Sequence, residues 1–282
     1  MVNQLKAPRQ KPLRHRLLSR TALTGLGLAL MPGAAMALPQ GGEVVAGAAI
    51  IASSAANMTI NQSTMAAVID WQSFDIAADE MVEVFQISPL ATLLNRVVGD
   101  GGASSILGEL KVNGQLTLIN PAGITIGHSA RIDVAALIAT TANIGNQNFM
   151  DGNYIYDMPG QAGARIVNQG QITAREGGLV ALVGPGVENS GVITARLGRV
   201  ALGGAERFTL ELYGDNLIVI GVDGAVMSAI VNEALVTNSG AIAADGGSIQ
   251  ISARSGVAAL ESVINMTGVT QARSVGTENG EI

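Results

Sequence analysis

Alternation of apolar and polar residues is the dominant pattern along the chain. Residues 108–119 place Leu and Val at alternate positions on either side of Asn113-Gly114, and Asn120-Pro121 follows directly. A period of two is typical of strands with one buried face, and both dipeptides favour turns. The segment is therefore predicted to form strand, turn, strand and turn.

The same alternation continues on both sides of this segment. Upstream, it places Val82, Val84 and Gln86 on one face of a predicted strand. Residues 131–144 have some character of an amphipathic helix, but their alternation and β-branched residues favour strand–turn–strand. Residues 145–163 are polar, which predicts an excursion in the form of a loop or a short hairpin.

A short motif of Asn, one polar residue and Gly recurs in the second half of the chain. It begins at Asn168, Asn189 and Asn238, with a looser copy near residue 265, and a Gly-led strand follows each clear copy. A period near 20 with short strands indicates a solenoid. Leu is too sparse for leucine-rich repeats, so an all-β, right-handed parallel β-helix is predicted, with about ten coils at ~4.8 Å spacing.

The repeated residues predict how the corners of the coils are built. Asn168, Asn189 and Asn238 are expected to stack as a corner ladder of amide hydrogen bonds. The glycines are expected to supply positive φ at the bends. With 36 Gly and only 3% aromatic residues in 282, the composition suits a narrow interior filled by small side chains.

The first 37 residues have the features of a signal peptide. Six basic residues precede the apolar run 21–31, and Ala35-Met36-Ala37 matches the small-residue cleavage rule. The run is too short to cross a membrane, and no later stretch predicts stable membrane insertion. Cleavage removes six of the 16 Lys and Arg residues and leaves 22 Asp and Glu residues, a net charge of −12. This excludes nucleic-acid binding through phosphate contacts.

Candidate chemistry is sparse. The chain has no Cys, and His128 is the one His after the predicted leader. None of the motifs for catalysis, phosphate binding or metal binding is present. The sequence therefore predicts no enzyme activity, no cofactor and no metal. A polysaccharide-binding or polysaccharide-cleaving β-helix is the alternative, although one Trp and three Tyr offer few sugar platforms.

Two motifs carry a family resemblance. Asn95-Arg96-Val97 and Asn120-Pro121-x-Gly123-Ile124, with their spacing, make residues 38–144 resemble the two-partner-secretion domain that opens filamentous haemagglutinins (the TpsA type). The family has Asn where this chain has Ala122, which predicts a weaker turn. The resemblance implies that the following residues are recognised by a transporter or support that recognition: Asn95, Arg96, Val97, Asn120, Pro121, Gly123 and Ile124.

The resemblance also implies a cap. Residues 69–76 are similar to the family's N-terminal corner, and Trp71 and Phe74 are expected to close that end of the coil stack rather than stack on a ligand. The predicted domains are a signal peptide (1–37), the two-partner-secretion domain (38–145) and continuing β-helix repeats (146–282).

The expected function is secretion targeting of a large exported adhesin-like or haemagglutinin-like protein. The implied partner is an outer-membrane β-barrel transporter with periplasmic transport domains, and a host-cell surface or a carbohydrate is a further candidate partner. The expected location is outside the cell or on its surface. Residues 274–282 end without a polar cap, which predicts a truncated chain.

Overall fold

The computed structural model describes residues 37–213, 217–222, 234–253 and 263–273. Residues 1–36 of the predicted signal peptide and the chain end at 274–282 lie outside this range. In chain order the elements are β1 (Glu43–Ala46), β2 (Ala49–Ser53), β3 (Asn57–Gln62), β4 (Ala66–Trp71), β5 (Met81–Gln86), β6 (Thr92–Val97), β7 (Ser104–Ile106), β8 (Glu109–Ile119), β9 (Ile124–Ile126), β10 (Arg131–Thr140), α1 (Asn146–Met150), β11 (Ile155–Tyr156), β12 (Arg165–Asn168), β13 (Gln171–Ala174), β14 (Leu179–Gly184), β15 (Gly186–Asn189), β16 (Val192–Ala195), β17 (Arg199–Gly204), β18 (Phe208–Tyr213), β19 (Leu217–Val222), β20 (Val236–Asn238), β21 (Ala241–Ala243), β22 (Ser248–Ala253), β23 (Ile264–Met266) and β24 (Val269–Gln271).

Parallel strands stack into three faces. Face A contains β3, β5, the first halves of β8 and β10, β13, β16, β21 and β24. Face B contains β4, β6, the second halves of β8 and β10, β14, β17 and β22. Face C contains β7, β9, β12, β15, β20 and β23. This arrangement confirms the predicted parallel β-helix.

Two strands run through the corner between faces A and B. The predicted turn at Asn113-Gly114 and the predicted strand–turn–strand in residues 131–144 are both wrong, because β8 and β10 are continuous. Val112 pairs with Val134, and the next pair joins Gln115 to Ala136, so two residues of β8 oppose one of β10. Such a bulge bends a strand without ending it.

The interior follows the alternation in the sequence. Val82 and Val84 are buried in the main core and Gln86 is buried beside them, whereas Phe85 is 45% exposed. Fully burying a Val or Leu side chain contributes roughly 1.5–3 kcal/mol. The repeated burial of aliphatic side chains therefore accounts for most of the stability of the coil stack.

Antiparallel strands cover the N-terminal edge of the stack. β1 pairs antiparallel with β4, and β2 pairs antiparallel with β3. An uncovered parallel edge would present unpaired backbone groups. These two strands therefore form the outer cover, while Trp71 and Phe74 lie one layer deeper, in the core.

An excursion packs on the outside of face B. Where a loop or hairpin was predicted, the chain forms α1 and β11, and β11 pairs antiparallel with β18, which in turn pairs with β19. Phe149, Tyr156 and Phe208 are buried with outward-facing residues of the sheet such as Leu94 and Ile138. Face B is consequently covered on both sides.

The excursion also shortens the stack. Eight strands lie on face A in the described part of the chain, against about ten coils predicted. The prediction assumed that every residue contributes to a coil, but α1, β11, β18 and β19 lie outside the stack, the last three in a separate sheet.

Candidate functional site

The first motif lies on β6 and joins the N-terminal core. Asn95 points inward, where its Oδ1 accepts a hydrogen bond from Trp71 Nε1 at 3.0 Å. The Trp71 ring meets Phe74 edge-on, with ring centroids 5.6 Å apart. All three side chains are fully or almost fully buried. The motif and the predicted cap residues thus form one cluster.

Arg96, the next residue, points outward beneath the excursion. Its Nε and Nη2 donate to the two carboxylate oxygens of Asp70 at 2.8 and 3.0 Å. Its Nη1 donates to Asn143 Oδ1 at 3.4 Å and to the carbonyl of Ile144 at 3.3 Å. The pair is largely enclosed, with side-chain exposures of 10% for Arg96 and 20% for Asp70. Sequence reasoning identified Arg96 but missed Asp70 and Asn143.

The second motif forms the tight turn between β8 and β9. Asn120 Nδ2 donates to the carbonyl of Gly102 and to Ser104 Oγ, both at 3.0 Å. Its Oδ1 accepts from the backbone N–H of Ala122 at 2.9 Å. Gly123 closes the turn on the Asn120 carbonyl at 3.0 Å. Residue 122 takes part through its backbone, so the expectation that Ala122 weakens the turn has no support in this geometry.

Residue 123 must be Gly for two reasons, its backbone conformation and the lack of room for a side chain. Its φ of +118° is one that L side chains rarely adopt. A Cβ built there would lie 2.8 Å from the carbonyl oxygen of Arg165 in the next coil. On the other side of the turn, the Pro121 carbonyl accepts from the backbone N–H of Gln161 at 2.7 Å. Sequence reasoning did not find this contact.

Little of either motif reaches the surface. Asn95, Val97, Asn120 and Ile124 are at most 3% exposed, and Arg96 is 8% exposed. Gly123 is buried and Pro121 is half-buried. In the folded state these residues offer a partner few side-chain atoms.

A column of asparagines runs along the corner after face C. Asn168 Nδ2 donates to Asn189 Oδ1 at 2.7 Å, and Asn189 Nδ2 donates to Asn238 Oδ1 at 2.7 Å. Asn238 Nδ2 continues to Thr270 Oγ1 at 3.3 Å. All three amides are fully buried, so each depends on the next coil for a hydrogen-bond partner.

The glycines beside this column have another role than the one predicted. Gly170, Gly191 and Gly240 are absent from the residues with positive φ. A Cβ at Gly191 would collide with the carbonyl oxygen of Gly170, and one at Gly240 with that of Gly191. Positive φ occurs at other bends of the repeats, at Gly177 and Gly246, both with φ of +75°. The expectation is wrong for Gly170, Gly191 and Gly240, which are small because successive coils touch there.

The described residues carry little that suggests catalysis. They contain no group of three His, Cys, Asp or Glu residues that could hold a metal. Lys111 lowers the pKa of the neighbouring Glu109 on the exposed side of face A. Burial raises the pKa of the Tyr156 hydroxyl. No helix in the described ranges is long and apolar enough to cross a membrane.

A groove of about 800 Å³ lies where the excursion meets the outer edge of face B. Tyr154 lines one side, and Thr92, Gln115 and Arg199 share one outward column of the sheet. The Arg199 guanidinium has no ion pair among the described residues. The groove follows the stack from Thr92 to Ser248, six coils or about 24 Å at ~4.8 Å per coil.

A family model described as TPS secretion domain matches residues 35–282. Two curated proteins of Haemophilus influenzae, both named heme/hemopexin-binding protein, are also similar. One is 34% identical over 259 residues, covering 87% of this chain and 27% of the relative. The other is 32% identical over 291 residues, covering 94% and 30%. The chain thus spans less than a third of these relatives.

The crystal structure of the HMW1 secretion domain from Haemophilus influenzae has a similar fold. The TM-score is 0.71 at 34% identity, over 84% of this chain and 60% of that one. These matches are described as secretion domains or heme/hemopexin-binding proteins rather than enzymes. They do not favour the alternative of a polysaccharide-binding or polysaccharide-cleaving β-helix protein.

Proposed function

Because the chain belongs to the TPS secretion domain family, we propose that its first coils are recognised by an outer-membrane β-barrel transporter with periplasmic transport domains. The domain itself is the secretion-targeting part of an exported exoprotein that leaves through the outer membrane. What we propose is the transporter as partner and the residues that the transporter recognises.

The burial of the two motifs is the observation that carries the proposal about timing. Asn95 and Asn120 are at most 1% exposed; Asn95 Oδ1 bonds Trp71 Nε1, and Asn120 Nδ2 bonds the Gly102 carbonyl. A transporter that reads these side chains must therefore meet them before the coils close. Recognition then precedes folding. Segments that later become strands are still unpaired in the unfolded chain, so their backbone can pair with the transporter.

Export of a reporter tests this proposal. The full chain is fused to a reporter and expressed in a Gram-negative host with and without the transporter. Reporter in the medium only when the transporter is present is the expected result. Reporter that stays in the periplasm in both strains would contradict the proposal.

A matched pair of Asn substitutions tests whether the motif is read. Asn120→Ala and Asn189→Ala each remove a buried amide with several hydrogen bonds, one in the motif and one in the ladder. If the transporter reads Asn120, its loss blocks export far more than the loss of Asn189. Equal effects on export would show that both act through stability alone.

We also propose a carbohydrate, as displayed on a host-cell surface, as a ligand of the whole exoprotein. The groove supports this, because Arg199, Gln115, Thr92 and Tyr154 line it and offer a charge and several hydrogen-bonding groups along its length. Binding to an array of linear glycans should be lost in Arg199→Gln. Arg196→Gln, which changes an exposed Arg that does not line the groove, should bind normally. Equal binding by both would contradict a role for the groove.

A further inference from the structure

The two motifs hold the excursion at its two ends. Arg96 of the first motif donates to Asn143 and Ile144, where the chain leaves the stack. The Pro121 carbonyl of the second motif accepts from Gln161, where the chain returns. Both motifs thus form hydrogen bonds with the same excursion, one at each end of it.

The base of the excursion is closed. Asn143 N–H donates to the Met158 carbonyl at 2.7 Å, which joins the outgoing and returning segments. Beside this pair, a Cβ at Gly160 would lie 2.7 Å from the Thr141 carbonyl and 2.8 Å from the Pro121 carbonyl. Only a residue without a side chain can lie this close to the second motif, so the fit here is tight.

The excursion also covers the first motif. Phe149 and Tyr156 are buried against outward-facing residues of the sheet, in the same cluster as Leu94 and Ile119. Arg96 is thereby enclosed, and four of its hydrogen bonds go to Asp70 and to the start of the excursion. The docked excursion and a transporter would compete for the same guanidinium.

The order of residues in the chain sets when this cover forms. The partners of Arg96 in the excursion follow it by 47 and 48 residues. The partner of Pro121, Gln161, follows it by 40 residues in the sequence. In a chain that folds as it emerges from its N-terminus, the Arg96 guanidinium and the Pro121 carbonyl would therefore lack these partners until residues 143–161 have arrived.

We propose that residues 143–161 act as an intramolecular latch, which takes over Arg96 and the Pro121 carbonyl from the transporter and so ends recognition as the domain folds. This inference rests on the proposed function. It assigns Asn143, Gly160 and Gln161 as positioning residues, and it explains why Arg96 is enclosed in the finished fold.

Two glycines of the excursion provide the test. Gly160→Ala places a methyl group against the Pro121 and Thr141 carbonyls and hinders docking of the latch. Gly145→Ala is the matched control, because nothing lies within 4 Å of its Cβ and its φ of −66° suits any residue. Each full-length chain is diluted from urea into purified periplasmic domains of its transporter, and the lifetime of the complex is measured.

All three chains should bind equally well at first. The Gly160→Ala complex should last about fivefold longer than wild type, the factor that corresponds to one lost hydrogen bond, whereas the Gly145→Ala complex should match wild type. Release of Gly160→Ala at the wild-type rate, with proteolysis showing an undocked excursion, would overturn the latch. A wild-type chain that forms no complex at any stage would instead contradict the proposed function.

Asn143→Ala provides a second measurement if Gly160→Ala does not fold. It removes the side-chain acceptor of Arg96 Nη1 and leaves the close approach at Gly160 unchanged. The complex lifetime should again increase, by a smaller factor. An unchanged lifetime in a folded Asn143→Ala chain would also overturn the latch.

Discussion

The first coils and the later repeats build the same corner in two different ways. At equivalent positions after face C, Ile106 and Ile126 stack in the first coils, and Asn168, Asn189 and Asn238 follow in the repeats. The repeats satisfy each amide with an identical amide one coil away. The first coils place their polar motif residues elsewhere and bond them to unlike partners.

This difference separates two kinds of stabilisation. A ladder amide needs only an identical amide one coil away, whether that amide lies 21 residues away, as for Asn168 and Asn189, or 49 residues away, as for Asn189 and Asn238. Arg96 needs a carboxylate from the preceding coil and a backbone segment 48 residues later. The repeats are therefore supported by identical side chains in adjacent coils, whereas the first coils also need unlike partners from the excursion.

The largest expected effect lies in the first coils. Asp70→Asn removes the charge that balances Arg96 while nearly keeping the shape of the side chain. Leaving an enclosed cation without its carboxylate should cost about 3 kcal/mol, the low end of the range because Asp70 is partly exposed. The midpoint of urea unfolding measures this loss.

An exposed ion pair in the repeats is the control for that experiment. Glu176 lies 3.4 Å from Arg196, and their side chains are 62% and 68% exposed. Glu176→Gln should therefore change stability by less than about 1 kcal/mol. Equal losses for Asp70→Asn and Glu176→Gln would remove the distinction between the two regions.

A smaller loss is expected when the ladder is cut in its middle. Asn189→Ala removes the acceptor of Asn168 Nδ2 and the donor to Asn238 Oδ1, and both of these atoms are buried. Stability should fall by about 2–3 kcal/mol, since unsatisfied buried groups are costly. Asn61→Ala, at an exposed position of β3, should have little effect, and both are measured by the urea midpoint.

Gly123→Ala should cost about 2 kcal/mol, because it combines an unfavourable φ with contact against the next coil. Gly163→Ala separates the two causes. Gly163 also has positive φ, +74°, but nothing lies within 4 Å of its Cβ. It should lose only about 1 kcal/mol, the conformational part. Equal losses in thermal or urea unfolding would mean that the close approach to Arg165 contributes nothing.

Substitution of Tyr156 should have the smallest effect on stability at neutral pH. At high pH, its effect on stability should be distinct. Burial raises the pKa of its hydroxyl above the ordinary value of 10.0, so the folded state keeps a proton that the unfolded state loses. Tyr156 therefore contributes stability below about pH 10, and this is lost as the pH rises further.

Tyr156→Phe should reduce the alkaline loss of stability while preserving the ring that stacks on Phe208 at 4.3 Å. Unfolding curves at pH 7 and above pH 10 measure the difference. The Asn ladder contains no titratable group, so Asn189→Ala should leave the alkaline loss unchanged. An identical pH profile for wild type and Tyr156→Phe would contradict the burial effect.

The sequence predicted the parts of this fold that repeat. Alternation placed Val82 and Val84 inside, and the period of 21 residues placed Asn168 over Asn189, because strand geometry and coil stacking both act over short, fixed distances. The buried Trp71 was likewise expected in the core. For these residues, the residue type and its position in the repeat are enough to predict the surroundings of the side chain.

The rest could not be predicted because its partners are remote and unlike. Nothing local to Arg96 indicates Asp70 or Asn143, and nothing local to β11 indicates β18, some 50 residues later. The corner at Asn113-Gly114 was misjudged because a turn dipeptide also suits a bulge. The roles of Asn95, Asn120 and their neighbours in transporter recognition stay predictions.

The close contacts among Gly170, Gly191 and Gly240 affect how the coil stack can be lengthened. The carbonyl of each glycine lies against the next glycine along the stack. In the middle of the column, Asn189 accepts an amide hydrogen bond from Asn168 and donates one to Asn238. A duplicated 21-residue unit inserted between two rungs would thus bring matching surfaces above and below. Tandem duplication of the gene segment for one such unit can therefore lengthen the coil stack without compensating substitutions elsewhere. The number of coils can thus change easily in evolution.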